Sequence, residues 1–460
     1  MEDRRFDEQH NREVRESREP VRNGRSPFWL GALTGALITA LAGLVVVGMS
    51  AGIYLFGRKV MSRQPGTRTE GTSPSILDGS EEPRGVDFNK VTSKMTMIEQ
   101  IIKNYFLYEE DADEVEEYIY KGMLAGLDDP YSTYYSAEDY KTMQESTNGT
   151  YSGIGAMLSQ NRNTGLCTIV KVFEGSPAFE AGMQPGDVIY KVGDKLVAGE
   201  SLDVLVSTYI KGEEGTPVTI TVYRADKDEY VDLTMKRRKI EVPTVEHRML
   251  ADSVGYLAVS EFDQITVEQF KAAVDDLSKE GMRGMVIDLR SNPGGVLDGA
   301  VAMVDYLLPD DISTYEKGNG KTLIVYTADK NGNGDSYVAS DGHQVDVPVV
   351  ILVNGESASA SEVFTGAMKD YEKASVVGTT SYGKGIVQNL IPLGDGSAIK
   401  ITTAHYYTPS GFDLHGKGIE PDVEVELNEE LKTQAVVEPE EDNQIQKAVE
   451  VLKEKMEKVS

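Results

Sequence analysis

The chain is poor in the residues that bind metals and form disulfides. It has one cysteine, Cys167, and five histidines in 460 residues. A single cysteine can form neither an internal disulfide nor a multi-cysteine metal site. The chain therefore either works reduced or is exported without covalent cross-links, and we favour export. We expect no metal and no cofactor.

Positive charge is also scarce. Lysine and arginine total 46 against 75 acidic residues, which gives a formal net charge of −29. A protein of that charge repels a phosphate backbone, so nucleic acid is not an expected partner. The hydrophobic content of 40% in 460 residues is enough for two or three cores.

The chain has one long uncharged hydrophobic run, residues 28–56. It exceeds the roughly 20 residues that span a bilayer, and Trp29 and Phe56 suit the two interfaces. Arg58 and Lys59 follow, where a cleaved signal peptide would have small residues. The run predicts a single transmembrane helix. The two flanks of this run carry similar numbers of basic residues, so charge alone does not show which end of the helix would be cytoplasmic.

Several segments around this run have a simple predicted organisation. Residues 1–27 are polar and highly charged, which predicts a disordered tail, and 57–88 have the Gly, Ser, Pro and Thr content of a flexible linker. Apolar residues with helical spacing predict a helical segment over 89–148 and a final helix within 428–460. We expect the last helix to dock on its own domain, with a homodimer contact as the alternative.

Residues 149–238 predict a small, mostly β domain, because short β-rich runs alternate with glycine and proline turns. Gly153, Ile154, Gly155 and Ala156 form a loop whose backbone N–H groups can converge on a peptide carboxylate, while the adjacent strand edge pairs with the peptide. An ordinary turn at the start of a strand is the alternative for the glycines alone.

A second stretch of this domain is more specific than the glycine loop. The run from Ser176-Pro177-Ala178 to Asp187-Val188-Ile189, taken with the loop, resembles PDZ domains, which bind peptide C-termini. The resemblance implies that the 153–156 loop binds substrate. Arg224, at the end of a later strand, either faces the peptide groove or caps the strand.

Residues 239–427 alternate buried strands with helices. The apolar runs 285–289 and 349–353 predict strands that are covered on both faces. Ser359 follows the second run at the start of a helix, where unpaired N–H groups favour a developing negative charge. We therefore expect an oxyanion hole formed by the N–H of Ala360 and that of Gly294 or Gly295, which follow the first run.

A lysine lies 25 residues after this serine. Lys384 is flanked by glycines, and Gln388 is four positions further on. A serine hydroxyl attacks a carbonyl poorly until a base takes its proton, and a lysine kept neutral by burial is such a base. A free lysine has a pKa of about 10.4, so neutrality near pH 7 needs a bias of about 4 kcal/mol.

Together these motifs resemble the carboxyl-terminal processing peptidases, also called tail-specific proteases. The resemblance covers about residues 90 to 450. Its six motifs begin with 127–134 and the PDZ stretch, continue with 288–295 and 357–362, and end with 381–388 and 416–422. It implies that Ser359 is the nucleophile, that Lys384 is the general base, and that Gln388 orients the lysine.

The resemblance also implies a fold class and a location. The expected fold is mixed α+β: a single transmembrane helix, a helical N-terminal segment, a β-rich PDZ domain, and an α/β serine peptidase core of the crotonase or Clp-protease type. The N-terminus would be cytoplasmic and the catalytic part would lie outside the cytoplasm. We thus expect a membrane-anchored serine endopeptidase that acts on proteins or peptides with accessible C-termini.

Other readings of the motifs remain open. Residues 378–384 fit a phosphate-binding loop, except that Gly385 replaces the Ser or Thr that ligates magnesium. Residues 329–334 begin like a calcium loop but lack its final glutamate, which favours a hairpin turn. A histidine triad would use His405 with Asp413 or Asp422; similar candidates are His247, His343 and His415. The non-enzymatic alternative is a PDZ scaffold with an inert hydrolase domain.

Overall fold

The computed structural model describes residues 85–161, 164–312, 314–432 and 437–459. The predicted tail at 1–27, the predicted transmembrane helix at 28–56 and most of the predicted linker lie outside these residues. Among the described residues, no helix has the length and apolar character needed to cross a membrane.

This finding corrects the expected fold class. The transmembrane helix in that prediction is not supported, since the described helices include no such span and segment 28–56 lies outside them. What the structure does have is a mixed α/β fold with a small β domain and a larger α/β domain. The extracytoplasmic location of the catalytic part stays a prediction.

The helices and strands of the described residues are as follows. The helices are α1 (Phe88–Tyr105), α2 (Ala112–Ala125), α3 (Ala137–Thr147), α4 (Pro177–Glu180), α5 (Leu202–Val204), α6 (Thr266–Lys279), α7 (Leu297–Leu307), α8 (Ala360–Asp370) and α9 (Asn443–Val459). The strands are β1 (Thr133–Tyr135), β2 (Thr150–Gly153), β3 (Ala156–Gln160), β4 (Cys167–Val172), β5 (Val188–Val192), β6 (Lys195–Leu196), β7 (Pro217–Arg224), β8 (Glu229–Lys236), β9 (Arg238–Glu241), β10 (Val245–Leu250), β11 (Val254–Val259), β12 (Gly284–Asp288), β13 (Leu323–Asp329), β14 (Ser336–Val338), β15 (Val349–Val353), β16 (Ala374–Gly378), β17 (Ile386–Pro392), β18 (Ala398–Tyr407) and β19 (Val423–Glu424).

The α/β domain is built on a six-stranded sheet in the order β10-β11-β12-β15-β16-β19. Every pair except the antiparallel β10–β11 is parallel. All residues of β12 and β15 are buried, as the continuous apolar runs predict. One face packs on α6, α7 and α8, and the other face packs on α9.

A second, antiparallel sheet has the order β1-β18-β13-β14, with β17 also paired to β18. Strand β1 lies in the N-terminal part of the chain, yet its Thr133 pairs with Lys400 and its Tyr135 with Ala398. Because β17 and β18 follow Lys384 in the chain, this sheet brings the segment before the β domain next to the lysine loop.

The β domain has its own core around the sheet β3-β4-β5-β7-β8. The β-rich runs 167–172, 188–192 and 218–223, which the sequence pattern predicts as strands, form β4, β5 and β7, and β7 is one residue longer at each end. A two-stranded ribbon, β2 with β9, joins this domain to the chain on either side and pairs Thr150 with Glu241.

The last helix docks on its own domain, as expected. Asp442 caps it by accepting hydrogen bonds from the N–H groups of Gln444 and Ile445. The apolar stripe of α9 packs against buried side chains of β12 and β15. The homodimer contact stays a prediction.

Arg290 ties this helix to the sheet. Its guanidinium donates to both carboxylate oxygens of Asp288, to Asp442 Oδ2 at 2.9 Å and to Gln444 Oε1 at 2.7 Å. Only 14% of the arginine side chain is exposed, so its two carboxylate partners depend on it for charge compensation.

We predict that Arg290→Ala lowers the free energy of unfolding by about 3–5 kcal/mol, since it leaves buried carboxylates without a cation. Urea denaturation measures this loss. The matched control is Arg248→Ala, which removes an exposed pair with Glu438 and should cost less than about 1 kcal/mol. Equal losses in the two variants would contradict the buried role of Arg290.

Candidate active site

Ser359 lies where strand β15 gives way to helix α8, as the sequence predicts. Its backbone has φ 56° and ψ −113°, a left-handed conformation that residues with a side chain rarely adopt. Such a conformation costs about 1–3 kcal/mol and persists only where its surroundings enforce it. The serine is therefore held in one orientation at the amino end of the helix.

The carboxylate of Glu362 enforces this conformation. Its side chain is completely buried. Its Oε2 accepts hydrogen bonds from the N–H groups of Ser359 and Lys384, both at 2.8 Å. Its Oε1 accepts from the Gly383 N–H at 2.7 Å and from the Ser381 hydroxyl at 2.6 Å. One carboxylate thus joins the backbone of the candidate nucleophile to that of the candidate base.

Ser359 and Lys384 line the same cavity, which has a volume of about 520 Å³. The cavity is large enough for several side chains of an extended peptide. Other predicted site residues also line it, namely Gln388, Gly295 and Ala360.

The surroundings of Lys384 lower the pKa of its amine. Burial lowers the pKa of the lysine, and the positive charge of Lys400 acts in the same direction. The negative charges of Asp129 and Glu362 oppose this shift, but the pKa of Lys384 stays below its ordinary value. This is the direction that a general base needs.

Two tyrosines border Lys384 and Ser359. The ring centroid of Tyr131 lies 4.6 Å from Lys384 Nζ. The phenol of Tyr406 donates a hydrogen bond to the carbonyl oxygen of Lys384. Burial raises the pKa of Tyr406 well above its usual value, and a hydrogen bond from the Ser359 hydroxyl acts in the opposite direction. Tyr406 therefore contacts the backbone of Lys384 and lines the same cavity as Ser359.

The structure distinguishes the two candidate glycines of the oxyanion hole. The Gly294 N–H already donates to Asn292 Oδ1 at 2.8 Å. Gly295 lies opposite Phe262 in an isolated β-bridge. The two hydrogen bonds of this bridge join the Phe262 N–H to Gly294 O and the Val296 N–H to Phe262 O, so neither uses the Gly295 N–H. Among the described residues, no hydrogen-bond acceptor meets the N–H of Gly295 or of Ala360. These two N–H groups are the better candidates for binding an oxyanion.

Gly294 has a different role. Its φ is 101°, and a Cβ at this position would lie 2.6 Å from the carbonyl oxygen of Ala358 and 2.8 Å from Ser359 Cβ. Any side chain there would displace the nucleophile loop. The glycine is needed for close packing against Ser359.

Gln388 does not contact Lys384 in this structure. Its amide nitrogen lies 3.3 Å from the carbonyl oxygen of Ile386 and 3.5 Å from Thr402 Oγ1. Within the described part of the chain, no hydrogen bond joins it to the lysine. Its predicted orienting role stays a prediction.

The histidine alternative has no geometric support. No histidine is among the described residues that line the cavity. His405 does approach Asp413, with 3.9 Å between Nδ1 and Oδ1, but this pair lies apart from the cavity lining.

The phosphate-loop and calcium-loop readings also lack support. Lys384 is followed by strand β17 rather than by the helix that a phosphate-binding loop opens. Asp329 Oδ1 accepts hydrogen bonds from the N–H groups of Asn331 and Asn333, which forms the hairpin turn between β13 and β14 that the sequence favours.

The cavity also contains a carboxyl pair, Glu261 and Asp263, that no sequence motif singles out. Burial, with the negative charge of Glu261, raises the pKa of Asp263 to about 7. Both side chains line the cavity. Asp263 therefore changes charge near neutral pH, inside the site that holds Lys384.

The loop of Gly153, Ile154, Gly155 and Ala156 turns from β2 into β3. It is fixed by its own carbonyl groups: Ile154 O accepts the Ala178 N–H at 2.9 Å, and Gly155 O accepts the hydroxyl of Ser176 at 3.0 Å. With φ at 78°, Gly155 has the left-handed backbone of the turn.

Tyr151 occupies this loop. A Cβ on Gly153 would lie 2.6 Å from Cε2 of the tyrosine, so the ring lies directly against the glycine. Burial raises the pKa of Tyr151 to about 12, while hydrogen bonds from the N–H groups of Gly155 and Ala156 act in the opposite direction. The Tyr151 ring thus lies against the loop whose N–H groups a peptide carboxylate would use.

Arg224 does not have the predicted role in substrate binding. Its Nε and Nη2 both donate to the carboxylate of Asp187 at 2.8 Å, and Nη2 also donates to Gly182 O. The residue is only 8% exposed. The arginine forms a buried ion pair within the β domain, so its guanidinium does not contact a peptide.

Comparisons with known proteins agree with this architecture. A family model described as Peptidase family S41 matches residues 253–425, and one described as PDZ domain matches residues 152–235. The chain is 36% identical over 335 residues to a "Carboxy-terminal-processing protease" of Bartonella bacilliformis, covering 72% of this chain and 74% of that protein.

Two further similar proteins add detail. A "Probable CtpA-like serine protease" of Staphylococcus saprophyticus is 39% identical over 335 residues, or 72% of this chain, and the chain spans 65% of that relative's length. The solved structure of a photosystem II D1 C-terminal processing protease is 28% identical, covers 71% of this chain and 86% of its own, and has a TM-score of 0.42.

We predict that Glu362→Gln lowers the free energy of unfolding by at least about 2 kcal/mol. An amide would turn an NH₂ group toward donors that need an acceptor, which leaves buried groups unpaired. Urea denaturation measures the loss. The control is Glu356→Gln in the same loop, where the exposed carboxylate accepts one hydrogen bond, from Ser291. A Glu362→Gln variant as stable as the control would contradict this role.

Proposed function

Because the chain belongs to peptidase family S41, with carboxy-terminal-processing proteases among its relatives, we propose that it is a serine endopeptidase in which Ser359 is the nucleophile and Lys384 is the general base. The observation that carries the proposal is the shared cavity. Both side chains line it, and the Glu362 carboxylate holds their backbones in a fixed relation.

The proposed reaction proceeds through an acyl-enzyme. Ser359 Oγ attacks the substrate carbonyl carbon while its proton passes to the neutral amine of Lys384. The N–H groups of Ala360 and Gly295 bind the oxyanion that develops. The lysine ammonium then protonates the departing amine, which completes the first half of the reaction. Water, deprotonated by the same lysine, then attacks the ester carbonyl carbon. The bond from that carbon to Ser359 Oγ breaks, the acid product leaves, and the lysine ammonium returns its proton to Oγ.

Burial of the lysine favours this proposal over an inert scaffold. A half-buried lysine whose pKa is lowered costs folding free energy, because the folded state disfavours the ammonium that the unfolded chain holds. A scaffold gains nothing from that cost, whereas a general base requires it. Gln388 lines the same cavity, and we propose that it contacts Lys384 only after its amide leaves Thr402.

The PDZ domain is proposed to capture the C-terminal tails of unstructured substrates. A peptide carboxylate would take the N–H groups of the 153–156 loop, and the peptide would extend along the strand edge beside it. The peptide would meet Tyr151 there, because the tyrosine ring lies against Gly153 and its phenol is under the influence of the Gly155 and Ala156 N–H groups. Binding therefore competes with a contact inside the domain.

We predict that Ser359→Ala and Lys384→Met each reduce cleavage of a disordered protein at least about 10³-fold. Methionine keeps the length and burial of the lysine but supplies no base. Gel analysis and mass spectrometry of the products measure the loss. The control is Lys417→Met, a lysine of the family motif 416–422 that does not line the cavity. Cleavage that persists in either site variant would contradict the Ser–Lys mechanism.

We also predict that kcat/KM rises with pH through the pKa of Lys384 and is lost as the pH falls below it. The sign follows from burial, which lowers this pKa and makes the neutral amine available at a lower pH than in a free lysine. A pH profile with a short fluorogenic peptide measures this limb. Activity that rises only near pH 10.5 would contradict the proposed neutral base.

For the PDZ domain, we predict that Tyr151→Phe binds a labelled peptide with a free C-terminus about fivefold more tightly, because one competing hydrogen bond of about 1 kcal/mol is lost. Fluorescence anisotropy measures Kd. Tyr190→Phe, an exposed tyrosine of the same domain, is the control. The same peptide with an amidated C-terminus should bind weakly. Equal affinity for the two peptides would contradict carboxylate capture.

A further inference from the structure

The loop between helix α2 and strand β1 is held rigidly beside Lys384. Asp129 organises it by accepting hydrogen bonds from the Tyr131 N–H at 3.1 Å and from the Ser132 hydroxyl at 2.5 Å. The Ser132 hydroxyl in turn accepts the Thr402 N–H of β18 at 3.1 Å. Because β1 then continues as a strand of the same sheet, the position of the loop is fixed relative to the lysine.

Tyr131 is the residue of this loop that covers Lys384. Its ring centroid lies 4.6 Å from Nζ, yet the tyrosine is not among the residues that line the cavity. Lys384 does line it. The amine therefore has the cavity on one side and the aromatic ring on another. The phenol oxygen of Tyr131 lies 3.5 Å from that of Tyr382.

An aromatic ring has two opposite effects on a nearby amine. It excludes water, which disfavours the ammonium, and its face attracts a cation, which favours the ammonium. Burial is the largest influence on the pKa of Lys384 and lowers it. The pKa of Lys384 is lowered, which is the direction that exclusion of water produces.

The charged groups around the amine come from three other elements. Lys400 on β18 disfavours the ammonium, while Asp129 in the loop and Glu362 on α8 favour it. Tyr131 itself stays neutral, because its hydrogen bond with Tyr382, together with burial, raises the pKa of its phenol to about 12. The two carboxylates raise the pKa of Lys384, so the pKa is lowered only because burial of the amine and the charge of Lys400 have a larger effect.

Building on the proposed function, we propose that Tyr131 is a positioning residue for the reaction: its ring covers the part of the Lys384 amine that the cavity does not, and keeps water away from it. The segment before the PDZ domain thereby contributes directly to the catalytic site. This gives a physical role to the 127–134 motif, whose function the sequence left open.

The test is the pH dependence of kcat/KM for Tyr131 variants of the whole chain. Tyr131→Phe keeps the ring and should leave the acid limb of the profile at the wild-type pH. Tyr131→Ala admits water, and Tyr131→Gln fills most of the space with a polar amide. Both should move the acid limb to higher pH by about one pH unit.

Two controls isolate the effect. All profiles are measured in an Asp263→Asn background, because Asp263 lines the cavity and titrates near pH 7. Tyr120→Ala removes a ring that packs 5.2 Å from Tyr134 and loosens the same segment without uncovering Lys384. It should lower stability in a thermal melt and leave the acid limb unmoved.

Ser359→Ala and Lys384→Met in the same assay separate two kinds of failure. If either keeps activity, the proposed function fails and the inference fails with it. If both are inactive while the Ala and Gln variants of Tyr131 keep the wild-type acid limb, only the role of Tyr131 is overturned. A Phe variant that shifts as far as Ala would also overturn it, since the hydroxyl contact and not the ring would then control the amine.

Discussion

The site depends on one buried carboxylate. Glu362 accepts hydrogen bonds from the backbone of Ser359, Gly383 and Lys384 and from the Ser381 hydroxyl. These groups belong to two loops that leave different strands of the parallel sheet, and neither loop has a regular structure that would fix its position. A carboxylate inside the protein is stable only with such donors. The protein therefore satisfies a buried charge and aligns two catalytic loops with the same four contacts.

The same constraint explains the strained backbone of Ser359. A left-handed serine is unfavourable by itself, but it directs its N–H to Glu362, while the following N–H, of Ala360, has no acceptor in the part of the chain that the structure describes. Gly294 packs against the serine where a Cβ would not fit. Backbone strain, a buried acid and a glycine thus place the Ser359 side chain at the cavity, next to the Ala360 N–H, for which the described residues provide no acceptor. The pKa of Lys384 is lowered for a separate reason, the burial of its amine.

The sequence predicted the parts that follow from periodicity and from strong local motifs. The runs 285–289 and 349–353 form buried strands, because a short continuous apolar run is typical of a strand that is covered on both faces. Ser359 lies at the junction between such a strand and a helix, as predicted. The sequence did not predict which partners the polar side chains would contact. Arg224 forms a buried pair with Asp187, Glu362 turns inward although acids are normally exposed, and Gln388 lies on Thr402. Each depends on residues far away in the chain, which local patterning does not encode. The transmembrane helix was predicted from composition alone and is not supported among the described residues.

The central claim is that Lys384 loses its proton far more easily than an ordinary lysine. The most direct measurement is a ¹³C NMR titration of the protein labelled at lysine Cε, with the signal of Lys384 assigned by its absence in Lys384→Arg. The account predicts a midpoint well below the value of about 10.4 for a free lysine, while the lysines on the surface titrate normally. A Lys384 signal that titrates together with the surface lysines would contradict it.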